Sequence, residues 1–269
     1  LLAERRGMIT VDEATDFSAV ELGCMRLLAD PAFASFTICG DPMQRITGQG
    51  IPDWGDLVEL VGEYSSSSLR RSYRQTARLL EMAKDLYRHA MEQEPPFDSA
   101  YELDPNDPPP LSFKATKDDP SEAWITERIV EIWDLNGQCN LPSIGVFIPD
   151  GSDEAAWVKR LEERLREHAF EVEGSANGMS LGNTNRVRVF PVQAIKGLEF
   201  EAAFFVDIDR MSEIYPNLVD RYLYVGLSRA RSYLGATYTR EFPRKLGVVK
   251  KHFSDRRRFK ESVPTGGQS

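Results

Sequence analysis

An apolar run, Ile9-Thr10-Val11, stops abruptly at two adjacent carboxylates, Asp12 and Glu13, and continues as Ala14-Thr15-Asp16-Phe17. Acids at the carboxyl end of a buried strand suit Mg2+ chemistry. In an open parallel sheet ligands collect beyond the strand ends, so Asp12 can hold the metal while Glu13 orients an attacking water. The plain alternative is an acidic helix start, with Asp16 or Ser18 as its cap. A second apolar run, Thr37-Ile38-Cys39, empties into Gly40-Asp41-Pro42-Met43-Gln44-Arg45-Ile46. There the Gln44 amide can bond a phosphate oxygen, although Gly-Asp-Pro is also simply a good turn. In Leu69-Arg70-Arg71-Ser72-Tyr73-Arg74-Gln75-Thr76, Arg74 can meet phosphoryl charge and Tyr73 can stack on a purine; otherwise Tyr73 is a core ring between solvated arginines. The stretch from Val189 to Phe200 carries Lys196, Gly197 and Glu199 on a loop, where backbone approaches a ligand and Glu199 can accept from a ribose hydroxyl. An ordinary turn with a surface lysine remains open. Finally, Arg221-Tyr222-Leu223-Tyr224-Val225-Gly226-Leu227-Ser228-Arg229-Ala230-Arg231 reads as a helix from which Arg229 can reach a γ-phosphate, or merely ends the helix well against its dipole.

These groups need elements to hold them. The pattern predicts strands at 7–11 and 35–39 around a helix at 18–29, then a polar break at 65–68, a short strand at 69–73 and a helix at 76–91. Residues 94–110 hold six of the sixteen prolines and several acids, which forbids a regular helix and predicts an exposed linker or loop. Strands follow at 111–113, 144–148, 187–190, 202–206 and 233–237, alternating with helices at 121–133, 153–169 and 219–231. This alternation predicts an α/β fold with a mainly parallel sheet, helices on both faces and right-handed crossovers. The basic run 250–260 reads as a solvated tail. We therefore expect a division at 1–66, 67–242 and a basic tail at 243–269.

With 269 residues, 41% hydrophobic and 28% charged, the chain is an ordinary globular sequence. Its formal charge of -9 excludes a uniformly basic nucleic-acid binder, so contact with phosphates must use local patches. Three widely spaced cysteines, Cys24, Cys39 and Cys139, give neither a disulfide framework nor a zinc motif. There is no apolar run long enough for a membrane helix and no signal-peptide pattern at Leu1, which points to a cytoplasmic protein with no membrane partner.

Taken in order, the five motifs resemble motifs II to VI of the UvrD/Rep-like superfamily 1 helicases, over about residues 7–238; the Lys-Gly-Leu-Glu-Phe and Tyr-Val-Gly-Leu-Ser-Arg-Ala runs are the most specific. The resemblance implies two RecA-like lobes of the P-loop NTPase type, with ATP and Mg2+ bound between them and single-stranded DNA or RNA across both. It implies Asp12 for Mg2+, together with Glu13, which also serves the hydrolytic water. Gln44 would contact the γ-phosphate, Tyr73 adenine, and Glu199 the ribose, with Lys196 and Gly197 in the same nucleotide-binding loop and Arg74 and Arg229 as arginine fingers. No G-x-x-x-x-G-K-[S/T] loop occurs in the sequence. The expectation is therefore an incomplete first lobe, a partner in the missing N-terminal part of the same motor, and a chain essentially inactive alone.

Several positions depart from the family. Thr15 stands where Gln is usual, Ser72 where Asn is usual, and Pro191-Val192-Gln193 where Thr-x-His is usual. These changes spare the charged hydrolytic groups and fall on polar positions that link nucleotide to strand. The aromatic that usually follows motif III is absent at Thr47-Gly48, and Trp54 is a poor substitute by spacing. The 114 residues between Thr76 and Pro191 leave no room for the large inserted subdomain of the best-known members. A catalytically inactive helicase-like interaction module therefore stands as the alternative to an ATP-dependent motor. A nucleotide enzyme unrelated to helicases would have no obvious use for two separate arginine motifs.

Overall fold

In the computed structural model, Ile9–Val11 (β1) and Phe36–Ile38 (β2) pair in parallel, Ile9 opposite Phe36 and Val11 opposite Ile38. The structure describes residues 5–33, 36–58, 62, 64–175 and 186–260. The helix Ala19–Leu27 connects the two strands. Its start is fixed by a reciprocal cap: Glu21 N–H donates to the Ser18 hydroxyl at 3.2 Å, and Ser18 N–H donates back to the Glu21 carboxylate at 2.8 Å. Val11, Ala14, Leu22, Ile51 and Leu57 form a small core here, with Trp54 packed against it. Trp54 is therefore a packing residue of this unit.

Leu1–Arg70 and Arg71–Ser269 are two separate units. The second is built on a six-stranded, wholly parallel sheet of Leu111–Lys114 (β5), Ile144–Ile148 (β6), Glu171–Gly174 (β7), Arg186–Pro191 (β8), Phe200–Phe205 (β9) and Ala230–Tyr238 (β10), in the order β5-β10-β9-β6-β8-β7. Alternation along the strands sends side chains to two faces. On one face Ile144, Val146, Ile148, Ala202 and Phe204 meet Trp124, Ile129 and Leu161 from the helices Ser121–Leu135 and Glu154–Leu165. On the other, Phe147, Phe190, Phe200 and Phe205 touch ring to ring. The helix Val219–Arg229 lies against this second cluster, and Ala77–Met91 packs on that helix in turn. Burying each such large side chain is worth about 1.5–3 kcal/mol before chain entropy is subtracted. The expected α/β class, with a mainly parallel sheet and helices on both faces, is what the structure shows.

Two expectations require correction, the solvated tail and one helix end. Residues 94–110 form the expected surface loop, and within it Asp98–Ser99 (β4) pairs with Arg71–Ser72 (β3), Arg71 opposite Asp98, and Lys84 joins Asp98 at 2.5 Å. The prolines forbid a helix but not two extended residues at an edge. The basic stretch from 243 onward is not a solvated tail over its described part. Ser254 bridges Pro110 and Ser112, the Trp124 indole donates to the Arg257 carbonyl, and Arg257 is paired with Asp119 and Glu127. Phe259, buried, packs on Tyr233 at 4.9 Å between centroids. Charge pattern alone concealed this anchor and a second one, Phe253, whose ring packs on Phe242 at 5.5 Å between centroids. Lastly, Val219–Arg229 ends two residues early because Ala230 and Arg231 already belong to β10. Among the described residues no helix is long and apolar enough to cross a membrane.

Candidate active site

In the first unit the two strands deliver their carboxyl ends side by side. Cys39 N–H donates to the Val11 carbonyl at 2.9 Å and Ala14 N–H to the Cys39 carbonyl at 2.8 Å, so the loops bearing Asp12-Glu13 and Gly40-Asp41 run together. Asp12 is exposed, its Oδ1 accepting from Glu13 N–H at 2.8 Å. Glu13 is in the left-handed region, φ 49° and ψ 39°, which costs a non-glycine residue about 1–2 kcal/mol. Such strain persists where surroundings enforce it, and it concentrates at functional positions. Space is tight at Gly40: a Cβ there would lie 3.2 Å from Ala14 N, so the neighbouring backbone would have to give by a few tenths of an ångström. Asp41 accepts from Met43 N–H at 2.9 Å and from the Gln44 amide at 3.3 Å, which holds Gln44 beside the acidic loop. Thr15, fully buried, donates its hydroxyl to the Asp41 carbonyl at 3.2 Å. Thr15 is thus an internal latch between the two loops.

The donor set fits a hard cation: Mg2+ keeps several waters and needs only one or two carboxylates from the protein, which Asp12 and Glu13 provide. Among the described residues no group of three or more His, Cys, Asp or Glu side chains forms a protein cage for a metal.

In the second unit Phe200 of β9 stands opposite Ala230 of β10. The preceding residues, Glu199 and Arg229, therefore lie at the amino ends of neighbouring strands. Arg74 closes this group. Its Nη2 is 2.7 Å from Glu199 Oε1 and its Nη1 donates to the Ser228 carbonyl at 3.1 Å. Thr76 N–H donates to the Arg231 carbonyl at 2.9 Å, fixing the start of the Ala77–Met91 helix against β10. Arg229 stands in the last turn of its helix, where its charge suits the helix dipole, and it is only 6% exposed. Its place is set by Gly226, where a Cβ would fall 2.0 Å from Phe205 Cζ; the missing side chain lets the helix lie flush on the sheet. Gly197 has φ 73° with nothing near its missing Cβ, so it is required by conformation and not by space. Lys196 is half-buried, and Tyr73 is 64% exposed with its ring available.

Residues 186–237 match the family model of the UvrD-like helicase C-terminal domain. The matched span takes in β8, the Lys196–Glu199 loop, β9, the Arg229 helix and most of β10. Among solved structures, the C-terminal domain of a possible DNA helicase from Lactobacillus plantarum WCFS1 is similar at a TM-score of 0.42 and 18% identity, over 66% of this chain and 94% of that one. No curated protein matches the chain.

Within the helicase-matched span the motif reading missed one cluster. Gln193, at the carboxyl edge of β8, donates to the Tyr215 hydroxyl. Burial pushes the Tyr215 phenol up from its ordinary range, and the nearby Asp150 carboxylate adds to this. Nothing in the spacing of Gln193, Asp150 and Tyr215 signals this contact, because it depends on which strands are neighbours. Glu13 and Gln44 belong to the first unit; Tyr73, Arg74, Lys196, Gly197, Glu199 and Arg229 belong to the second.

Proposed function

We propose that the chain is the C-terminal part of an ATP-dependent superfamily 1 helicase or translocase, coupling ATP hydrolysis to movement along single-stranded DNA or RNA. The observation that carries this is the Arg74-Glu199-Ser228 group beside the buried Arg229. Arg74 and Glu199 pair against the backbone next to Arg229, and cationic groups of this kind suit the charge that spreads over a transferring phosphoryl group. In this reading Arg74 and Arg229 stabilise that charge, Glu199 accepts from the ribose and Tyr73 stacks on the base. Lys196 and Gly197 shape the loop beneath. In the first unit Asp12 holds the metal, Glu13 orients water and Gln44 contacts the γ-phosphate. Mg2+, when bound, neutralises charge on the phosphates.

A second reading, a helicase-like interaction module without turnover, is favoured by the latching of Thr15 on Asp41 and of Gln193 on Tyr215. Thr15 is fully buried, and Gln193 commits one amide hydrogen to Tyr215. Equilibrium binding of a fluorescent ATP analogue with Mg2+ tests the nucleotide reading: Arg74→Ala and Arg229→Ala should each weaken it about tenfold or more, the worth of a charged hydrogen bond. Equal affinity in all three proteins would sink it. Radiolabelled ATP hydrolysis should show negligible turnover by these 269 residues alone; brisk, strand-stimulated turnover would overturn the need for a phosphate-binding loop.

A further inference from the structure

The proline-rich segment plays no part in the chemistry above, yet it carries an aromatic ring to the edge of the site. Tyr101 is 54% exposed and Tyr73 64% exposed. Their ring centroids lie 6.4 Å apart with the planes at 87°. In either sense of a perpendicular pair, Tyr101 leaves at least one face of Tyr73 uncovered. The Tyr101 hydroxyl also donates to the Tyr73 carbonyl at 3.3 Å.

The segment holding Tyr101 is pinned. β4 pairs with β3 immediately before Tyr73, and Ala100 N–H donates to the Ser72 carbonyl at 3.0 Å. Lys84 and Arg88 of the Ala77–Met91 helix bind Asp98 and Glu94 from below. Both tyrosines line an open cavity of about 740 Å³, shared with Arg74, Glu102, Asp104 and Glu201. The carboxylates of Glu102, Asp104, Asp107 and Glu201 outnumber the guanidinium groups of Arg74 and Arg231 and accept from amino groups, so an uncharged, amine-bearing aromatic ring suits this space.

We propose that Tyr101 is a positioning residue that holds the Tyr73 ring, through the perpendicular contact and the hydrogen bond to its carbonyl, in the attitude that stacks on an adenine base. This rests on the nucleotide reading of the site given above. It adds a determinant of base affinity, separate from the phosphate-directed arginines, on a segment outside all five motifs.

The test is 19F NMR on the full chain labelled with 3-fluorotyrosine, with the Tyr73 resonance assigned by Tyr73→Phe, titrated with ATP, adenosine and inorganic tripolyphosphate. ATP and adenosine should move the Tyr73 resonance while tripolyphosphate leaves it in place. Tyr101→Ala should weaken ATP and adenosine about three- to tenfold, the range of an aromatic pair, and leave competition by tripolyphosphate unchanged. Tyr101→Phe, which keeps the ring, should retain most of the affinity. Wild-type affinities in Tyr101→Ala, or equal weakening of ATP and tripolyphosphate, would overturn the role of Tyr101 while the nucleotide reading stands. A wild-type Tyr73 resonance indifferent to both ATP and adenosine would overturn that reading, and this proposal with it.

Discussion

Arg74 shows how one side chain can be structurally cheap and chemically demanding. Its pair with Glu199 is 42% and 53% exposed, so solvent screens it and its share of stability is about 0–1 kcal/mol. What it offers is shape: two nitrogens of one planar group directed at a carboxylate and a carbonyl. Arg74→Lys keeps the charge but not the fork. Differential scanning fluorimetry should find the melting temperature nearly unchanged, while ATP affinity falls; retained affinity would mean that charge alone suffices. Arg74 and Glu199 were singled out in the sequence by residue type at a strand-to-helix junction and a glycine loop, and the structure brings their side chains together at 2.7 Å. Ser228 was not, since it contributes a backbone carbonyl and side-chain identity carries no trace of that. Tyr101 was hidden for a different reason. A proline-rich stretch announces only what it cannot form, and the pairing of β4 with β3 that brings Tyr101 to Tyr73 joins residues 27 apart, Arg71 with Asp98.

At the level of elements, the Val219–Arg229 helix depends on Gly226. Alanine there gains about 1 kcal/mol of helix propensity. Against this, its Cβ would lie 2.0 Å from Phe205 Cζ and 3.1 Å from Ile195 Cδ1, and Phe205 is buried with no room to swing. Overpacking of this kind costs about 1–3 kcal/mol, so the contact wins. Gly226→Ala should lower the melting temperature by several degrees in a calorimetric scan, and an unchanged value would show that the helix can lift off the sheet freely. Strands with continuous apolar runs, β6 and β9, were legible because both their faces are buried. β7 was not: Glu-Val-Glu-Gly lies at the sheet's end, and it is Glu171 and Glu173 pairing with Arg186 and Arg188 on β8 that holds it. The Ile208–Ile214 helix escaped because it is short and starts from Asp207 in a left-handed conformation without a side-chain cap.

On the scale of the molecule, a formal charge of -9 is carried by many carboxylates, and some are spent on holding the chain's basic end. Asp85, on the Ala77–Met91 helix, binds Lys251 and His252 from the segment expected to be a free tail. Burial pushes its carboxyl upward, but hydrogen bonds from Lys251 and His252 outweigh this and hold it at about 2, below the ordinary 3.8. A lowered folded-state value means that the stabilisation is complete above about 4 and is lost as the pH falls toward 2. Denaturant midpoints measured from pH 6 to pH 2 should therefore decline through this window, and Asp85→Asn should be less stable at pH 6 with a shallower decline. Parallel slopes for the two proteins would assign the acid sensitivity elsewhere.

Glu13 has one more effect. Along an extended strand neighbouring side chains take opposite sides, so two consecutive acids would serve two different surfaces. A left-handed residue two positions past the strand's last residue interrupts that alternation. The turn at Glu13 thereby frees a pair of adjacent acids from the strand's two-sided geometry, and a mutation that merely relaxed this backbone, such as Glu13→Gly, would remove the carboxylate and the constraint together.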